Sequence, residues 1–145
     1  MRKMVCAAAT CAVILASLGG AVAADVIAER QQAMKDTGAA MKAIKAAVDG
    51  GKATDAVAPA ETIAGIMKKA PGLFPQGSGE GKTDAKAEIW TDWEKFKEAA
   101  AGASTAAEKL AMVAKSGDAA ATGDAMKALG GACGTCHKPF RKPQT

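Results

Sequence analysis

Tyrosine is absent from this 145-residue sequence, aromatic residues make up 3% of it, and histidine occurs once, at His137. Bulky side chains are too few to fill an interior, and the core falls largely to alanine. No segment alternates with a period of two and β-branched residues are scattered, which excludes a sheet and leaves helix as the building unit. One histidine with no acid–base pair near it makes no substrate-converting constellation, so the chain does not read as an enzyme. Cysteine is scarce too: Cys6, Cys11, Cys133 and Cys136 are all there is. The first two lie in an N-terminal leader, and one remaining pair does not make the disulfide framework of a small secreted domain.

The leader has three parts. Met1-Arg2-Lys3 is a positive start, Met4 to Leu18 is apolar, and Gly19-Gly20 with Ala21-Val22-Ala23-Ala24 forms a small-residue end. This is the make-up of a secretory signal peptide cut after Ala23 or Ala24, with the periplasm as destination. The apolar run is shorter than the about 20 residues a membrane span needs, so no stable membrane insertion is expected after cleavage. Cys11 precedes most of the apolar run, the wrong place for a lipid anchor. Residues 25–145 then form one domain. Loss of Arg2 and Lys3 leaves 17 basic against 15 acidic residues, a charge of +2 where the whole chain carries +4. So small an excess gives no support to nucleic-acid binding.

Four helices are expected, with no domain linker and no internal repeat. The first runs from about Asp25 to Val48 and stops at Gly50-Gly51; Ile27, Met34, Met41 and Val48 recur along it every seven residues, with Ile44 beside them. The second runs from about Asp55 to Lys69, with Thr54 as cap or Pro59 as its true start, and Pro71 ends it. Residues 71–82 form a Gly/Pro-rich loop anchored by Leu73 and Phe74. The third, from Asp84 to Lys115, carries Ile89, Trp93, Phe96, Ala100, Ala103, Ala107, Leu110 and Ala114 at four-three spacing. The fourth, from Asp118 to Phe140, keeps that spacing through Met126, Leu129, Cys133, Cys136 and Phe140, and Thr122-Gly123 weakens its start. The fold class is all-α, an up-down-up-down four-helix bundle. Its alanine interior leaves room for a flat apolar macrocycle.

Cys133-Gly134-Thr135-Cys136-His137 is C-x-x-C-H, the attachment sequence of haem c. On a helix, positions i, i+3 and i+4 share a face. Both cysteines therefore reach one porphyrin edge to form thioethers, and His137 reaches the iron as axial ligand from the same side. A dithiol redox pair would need a strand–helix context, and a structural zinc site would need a second ligand cluster; neither is present in the sequence. Pro139 lacks an N–H, so the bond to the Thr135 carbonyl is lost and the helix is expected to kink or end just after His137.

These residues resemble the class II c-type cytochromes, the cytochrome c-prime family, in which C-x-x-C-H lies near the C-terminus. Arg30-Gln31, Glu88-Ile89-Trp90 with Phe96, and Phe140-Arg141 match the family's motifs, and the likeness covers almost all of residues 25–142. It implies a four-helix bundle with one covalently attached haem c and its iron, present as monomer or as a homodimer pairing through the first two helices. The resemblance also splits on one position. High-spin members place a non-ligating apolar residue over the distal face, leaving the iron open to nitric oxide or carbon monoxide. Low-spin members, the cytochrome c-556 type, place a methionine there. Here that position, four after Arg30, is Met34, and Met34-Lys35-Asp36-Thr37-Gly38 is similar to the low-spin pattern. The leading expectation is thus a periplasmic one-electron carrier with iron held by His137 and Met34, serving redox partner proteins. The alternative is an open-iron gas binder in which Met34 only fills space. Arg30 and Gln31 read either as surface polar groups or as haem contacts, Arg30 toward a propionate. Lys138, Arg141 and Lys142 read as a solvated tail or a small docking patch.

Overall fold

The computed structural model describes residues 18–143, with side chains from Asp25 onward. Most of the expected leader, residues 1–24, lies outside what is described. The described residues form five helices: α1 (Leu18–Asp49), α2 (Val57–Lys69), the single turn α3 (Glu88–Thr91), α4 (Trp93–Ala114) and α5 (Ala119–Phe140), with 3-10 turns at Ala53–Ala56 and Ala70–Leu73. The four long helices pack in a ring, α1 on α2, α2 on α4, α4 on α5 and α5 back on α1. This is the four-helix bundle expected from the sequence. Among the described residues the only extended pairing is a bridge between Ala85 and Arg141, and no helix is long and apolar enough to cross a membrane.

The ends of the helices follow from local chemistry. Past Asp49 the chain closes with Gly51 N–H on the Val48 carbonyl (3.1 Å) and Lys52 N–H on the Ala47 carbonyl (2.8 Å). This pairing needs a left-handed residue, supplied by Gly51 at φ 67°. The Asp118 carboxylate accepts from Ala121 N–H at 2.9 Å and caps α5. Thr122, expected to weaken that start, is fully buried with its hydroxyl donating to the Asp118 carbonyl at 2.6 Å. Gly123 lets α5 close on α1: a Cβ there would stand 3.3 Å from Val48 Cγ1.

Three local expectations are corrected. Thr54 caps nothing; it is exposed within the 3-10 turn, and α2 starts at Val57, which puts Pro59 in the first turn. The end of α2 at Lys69 is where Pro71 is expected to put it, and beyond it the backbone tightens into a 3-10 turn that accommodates proline near its start. The third helix does not begin at Asp84. Residues 84–86 run beside residues 140–142, α3 makes one turn, and Asp92 (φ −112°, ψ 44°) breaks it from α4. The break turns Trp90 toward the 70–83 loop, where its indole N–H is shared by the Phe74 and Pro75 carbonyls, both at 3.0 Å. Finally, α5 passes through Pro139 to Phe140, the end expected from its spacing, and does not stop just after His137. The proline falls in the last turn, where one missing bond costs least, and the buried Phe140 ring fixes the end.

The interior is an alanine-rich cluster spanned by Ile44, Ile63, Leu110 and Leu129, each fully buried. At about 1.5–3 kcal/mol per buried aliphatic side chain these four are its main holdfasts. Small residues let helices approach: Ser104 on α4 donates across to the Ala64 carbonyl of α2 at 3.1 Å. On α1 the buried line is Ile27, Arg30, Thr37, Ala40, Ile44 and Ala47, while Met34, Met41 and Val48 lie half-buried on its flank. The expected heptad stripe is therefore rotated toward the residues between its methionines.

Candidate functional site: a cofactor seam on the last helix

Cys133, Cys136 and His137 lie half-buried on one stretch of α5. Cys133 packs on the alanine-rich core, and Cys136 packs on a second cluster formed by Ile89, Phe96 and Phe140. The two thiols thus stand at the seam between the clusters, both free. The second cluster gathers every aromatic ring of the chain. Phe96 is its hub, with ring centroids 4.8 Å from Phe74, 5.5 Å from Trp93 and 5.4 Å from Phe140, and Trp90 stands 6.3 Å from Phe74. Grooves of about 320 Å³ beside Trp90 and Trp93, and about 540 Å³ between α4 and α5 with Thr135 in its wall, open on either side.

Burial pushes both thiols above the ordinary cysteine range, and the Cys133 charge adds to the effect at Cys136. A redox dithiol needs the opposite, a lowered thiol pKa, so the dithiol alternative loses its chemistry. The zinc alternative loses its ligands, since no group of three or more His, Cys, Asp or Glu gathers among the described residues. Burial, then the neighbouring Arg141 charge, lowers the pKa of His137. That favours the neutral imidazole with a free nitrogen lone pair that iron requires.

Arg30 is neither a surface group nor simply an arm toward solvent. It is 4% exposed and grips the loop between the 3-10 turn and α3. Nη1 donates to Ser78 Oγ (3.3 Å) and the Leu73 carbonyl (3.5 Å), and Nη2 to the Ser78 carbonyl and Thr83 Oγ1 (3.2 Å). Its carbon Cζ lies 4.7 Å from the centre of the Phe74 ring. Nε is buried without a partner, an orphan donor with the charge to suit a carboxylate such as a haem propionate. Gln31 holds the same loop from outside, donating to the Lys82 carbonyl at 2.9 Å. Sequence reasoning missed the clamp's other half, Ser78 and Thr83, because loop polar residues carry no periodicity. Met34 rests half-buried against the alanine-rich core that also receives Cys133, one turn beyond Arg30. Gly38 is exposed, and a Cβ at that position would meet no protein atom within 4 Å. Arg141 stands close enough to His137 for its charge to be felt.

This donor set fits a c-type haem: paired thiols on one helical face, a half-buried histidine beside them, and an unpartnered buried guanidinium N–H. A family model described as Cytochrome C' matches residues 25–141. The chain belongs to the cytochrome c′ family. It accordingly binds one covalently attached haem c with its iron. A cytochrome c′ of Pararhodospirillum photometricum is 45% identical over 78% of this chain and 93% of its own length. A cytochrome c-556 of Agrobacterium tumefaciens is 40% identical over 79% of this chain and 95% of its own. Among solved structures, cytochrome c′ from Thermochromatium tepidum superposes with a TM-score of 0.77 at 30% identity, covering 83% of this chain and 97% of that one. A nitric oxide complex of a mutant cytochrome c prime from Alcaligenes xylosoxidans gives 0.75 at 26% identity, covering 84% and 97%.

Proposed function

We propose that this chain is an exported, periplasmic haem protein whose iron is held on one side by His137 and left open on the other, where it binds nitric oxide or carbon monoxide. The observation that carries this reading is the likeness to proteins named cytochrome c′, one of which is recorded with nitric oxide. The iron supplies one-electron Fe(III)/Fe(II) chemistry and affinity for diatomic ligands. The residues of the chain do the rest. Cys133 and Cys136 tether the macrocycle through thioethers, and His137, whose pKa burial lowers, offers its lone pair. Met34 packs against the apolar core and lines the approach to the opposite face, where a methionine held by core contacts acts as a filler. Arg30, through its free Nε, holds a propionate. The proposed role is binding rather than turnover, and what supports it is the likeness to cytochromes c′.

A second reading is favoured by a specific observation, the methionine at Met34 together with the likeness to proteins named cytochrome c-556. There Met34 ligates the iron, the haem is low-spin, and the chain carries single electrons between redox partner proteins. The sequence alone puts this reading first; the similarity to cytochromes c′ moves the open iron ahead of it. Optical spectra of the mature protein, oxidised and reduced, with and without carbon monoxide, separate the two. The proposal expects a high-spin ferric spectrum and a reduced form that shifts with carbon monoxide. A low-spin spectrum with a methionine–iron charge-transfer band and no response to carbon monoxide overturns it in favour of the carrier.

A further inference from the structure

Thr83 sits where three parts of the chain meet. Its hydroxyl oxygen accepts from Arg30 Nη2 of α1 (3.2 Å) and from the Ala85 N–H (3.1 Å), which uses both lone pairs of a hydroxyl. Its carbonyl accepts from Lys142 Nζ at 3.0 Å. Directly after it, Ala85 bridges to Arg141, Lys86 N–H donates to the Phe140 carbonyl at 3.0 Å, and Lys142 N–H donates to the Asp84 carbonyl at 2.7 Å. The segment 83–86 is therefore tied at one end to the helix carrying Met34 and at the other to the residues that follow His137.

Pro139 gives this joint a task. It takes one backbone bond out of the last turn of α5, and a helix end short of a bond frays first. Here the backbone of residues 140 and 142 is held by another part of the chain. Arg141 N–H donates to the carbonyl of His137 itself at 3.0 Å, so the hold reaches the histidine's own peptide unit.

We infer that Thr83 is a positioning residue for the iron ligand. It fixes segment 83–86 against α1, and that segment in turn sets how firmly the last turn of α5 holds His137. The inference rests on His137 ligating the iron, and it joins the helix that carries Met34 to the last turn of α5 through one side chain.

The test uses three variants of the haem-loaded protein. Thr83→Val keeps the shape and removes the acceptor, Thr83→Ser restores the hydroxyl, and Lys142→Met loosens the same joint from its exposed end. The readout is the iron–histidine stretch of the reduced protein by resonance Raman. Thr83→Val should show a lowered and broadened band and Thr83→Ser the wild-type band, with Lys142→Met shifted less in the same direction. An unchanged band in Thr83→Val alongside a lowered melting temperature reduces Thr83 to a fold contact and overturns the inference, as does failure of Thr83→Ser to restore the band. If Thr83→Val does not fold, Lys142→Met decides: an unchanged band overturns. If the wild type is six-coordinate and shows no such band, the open-iron reading has failed by itself. The variants are then read by reduction potential: a shift in Thr83→Val that Thr83→Ser abolishes supports the inference, and equal potentials sink it.

Discussion

Phe140 meets Phe96 edge to face, ring centroids 5.4 Å apart and planes at 86°, three residues beyond the iron-ligand candidate His137 and one beyond Pro139. The contact places a buried aromatic at the weakest turn of α5. Phe140 is 5% exposed, and removing a buried phenyl ring costs about 3–5 kcal/mol through lost transfer energy and the cavity left behind. Phe140→Ala should therefore lose about 3 kcal/mol or more in urea unfolding, while Phe140→Leu should retain most of it. Equal stability in Phe140→Ala and wild type would mean that the last turn is held by its backbone bonds alone.

The thiols give a pH prediction. Cys133 and Cys136 have raised pKa values, first through burial and then, at Cys136, through the charge of Cys133. A raised pKa means less thiolate at any pH below it, and thiolate is the reactive form. In the haem-free chain, alkylation by iodoacetamide near pH 8 should be slower than for the same chain in urea. The gap should begin to narrow as pH passes the ordinary cysteine value and close only above the raised value of the folded chain. A gap that persists at high pH would point to blocked access in place of suppressed ionisation.

Arg30→Met tests the clamp. The substitution keeps a long apolar stem over Phe74 and removes the donors to Ser78, Thr83 and the Leu73 carbonyl. Hydrogen bonds from a charged donor are worth about 1.5–3 kcal/mol, and the acceptors left behind are partly buried. A loss of about 2 kcal/mol in urea unfolding is expected, with trypsin cutting after Lys82 faster than in wild type. Unchanged cleavage there would show that Gln31 and Trp90 suffice to hold the loop.

The parts of this structure that repeat were legible in the sequence, and the parts that are single contacts were not. Four helices followed from apolar spacing, and Gly51 and Asp118 marked two of their ends. Cys133, Cys136 and His137 were legible because one helical turn suffices to bring them together. Arg30 was visible as a residue but not as a buried clamp, because its partners Ser78 and Thr83 lie 48 and 53 positions away in a segment without periodicity. The pairing of residues 84–86 with 140–142 was hidden for the same reason, and it displaced the expected start of the third helix. Pro139 misled because proline's effect on a helix depends on how many bonds lie beyond it, and here the helix was about to end.

Met34→Ala separates the two readings of the iron most sharply. Met34 is half-buried against the alanine-rich core, and on the proposed reading an entering gas must push its side chain aside. Forcing extra volume into a packed site costs about 1–3 kcal/mol, and relieving about 1.4 kcal/mol of that in the transition state is worth tenfold in rate. Met34→Ala should therefore leave the ferric spectrum high-spin and raise the rate of carbon monoxide association to the reduced protein about tenfold. Met34→Leu, which refills the volume without a sulfur, should return the rate toward wild type. If instead the wild type is low-spin and both variants turn high-spin and begin to bind carbon monoxide, the sulfur was a ligand and the chain is an electron carrier. Volume and chemistry are thus read apart, because leucine restores the first and not the second.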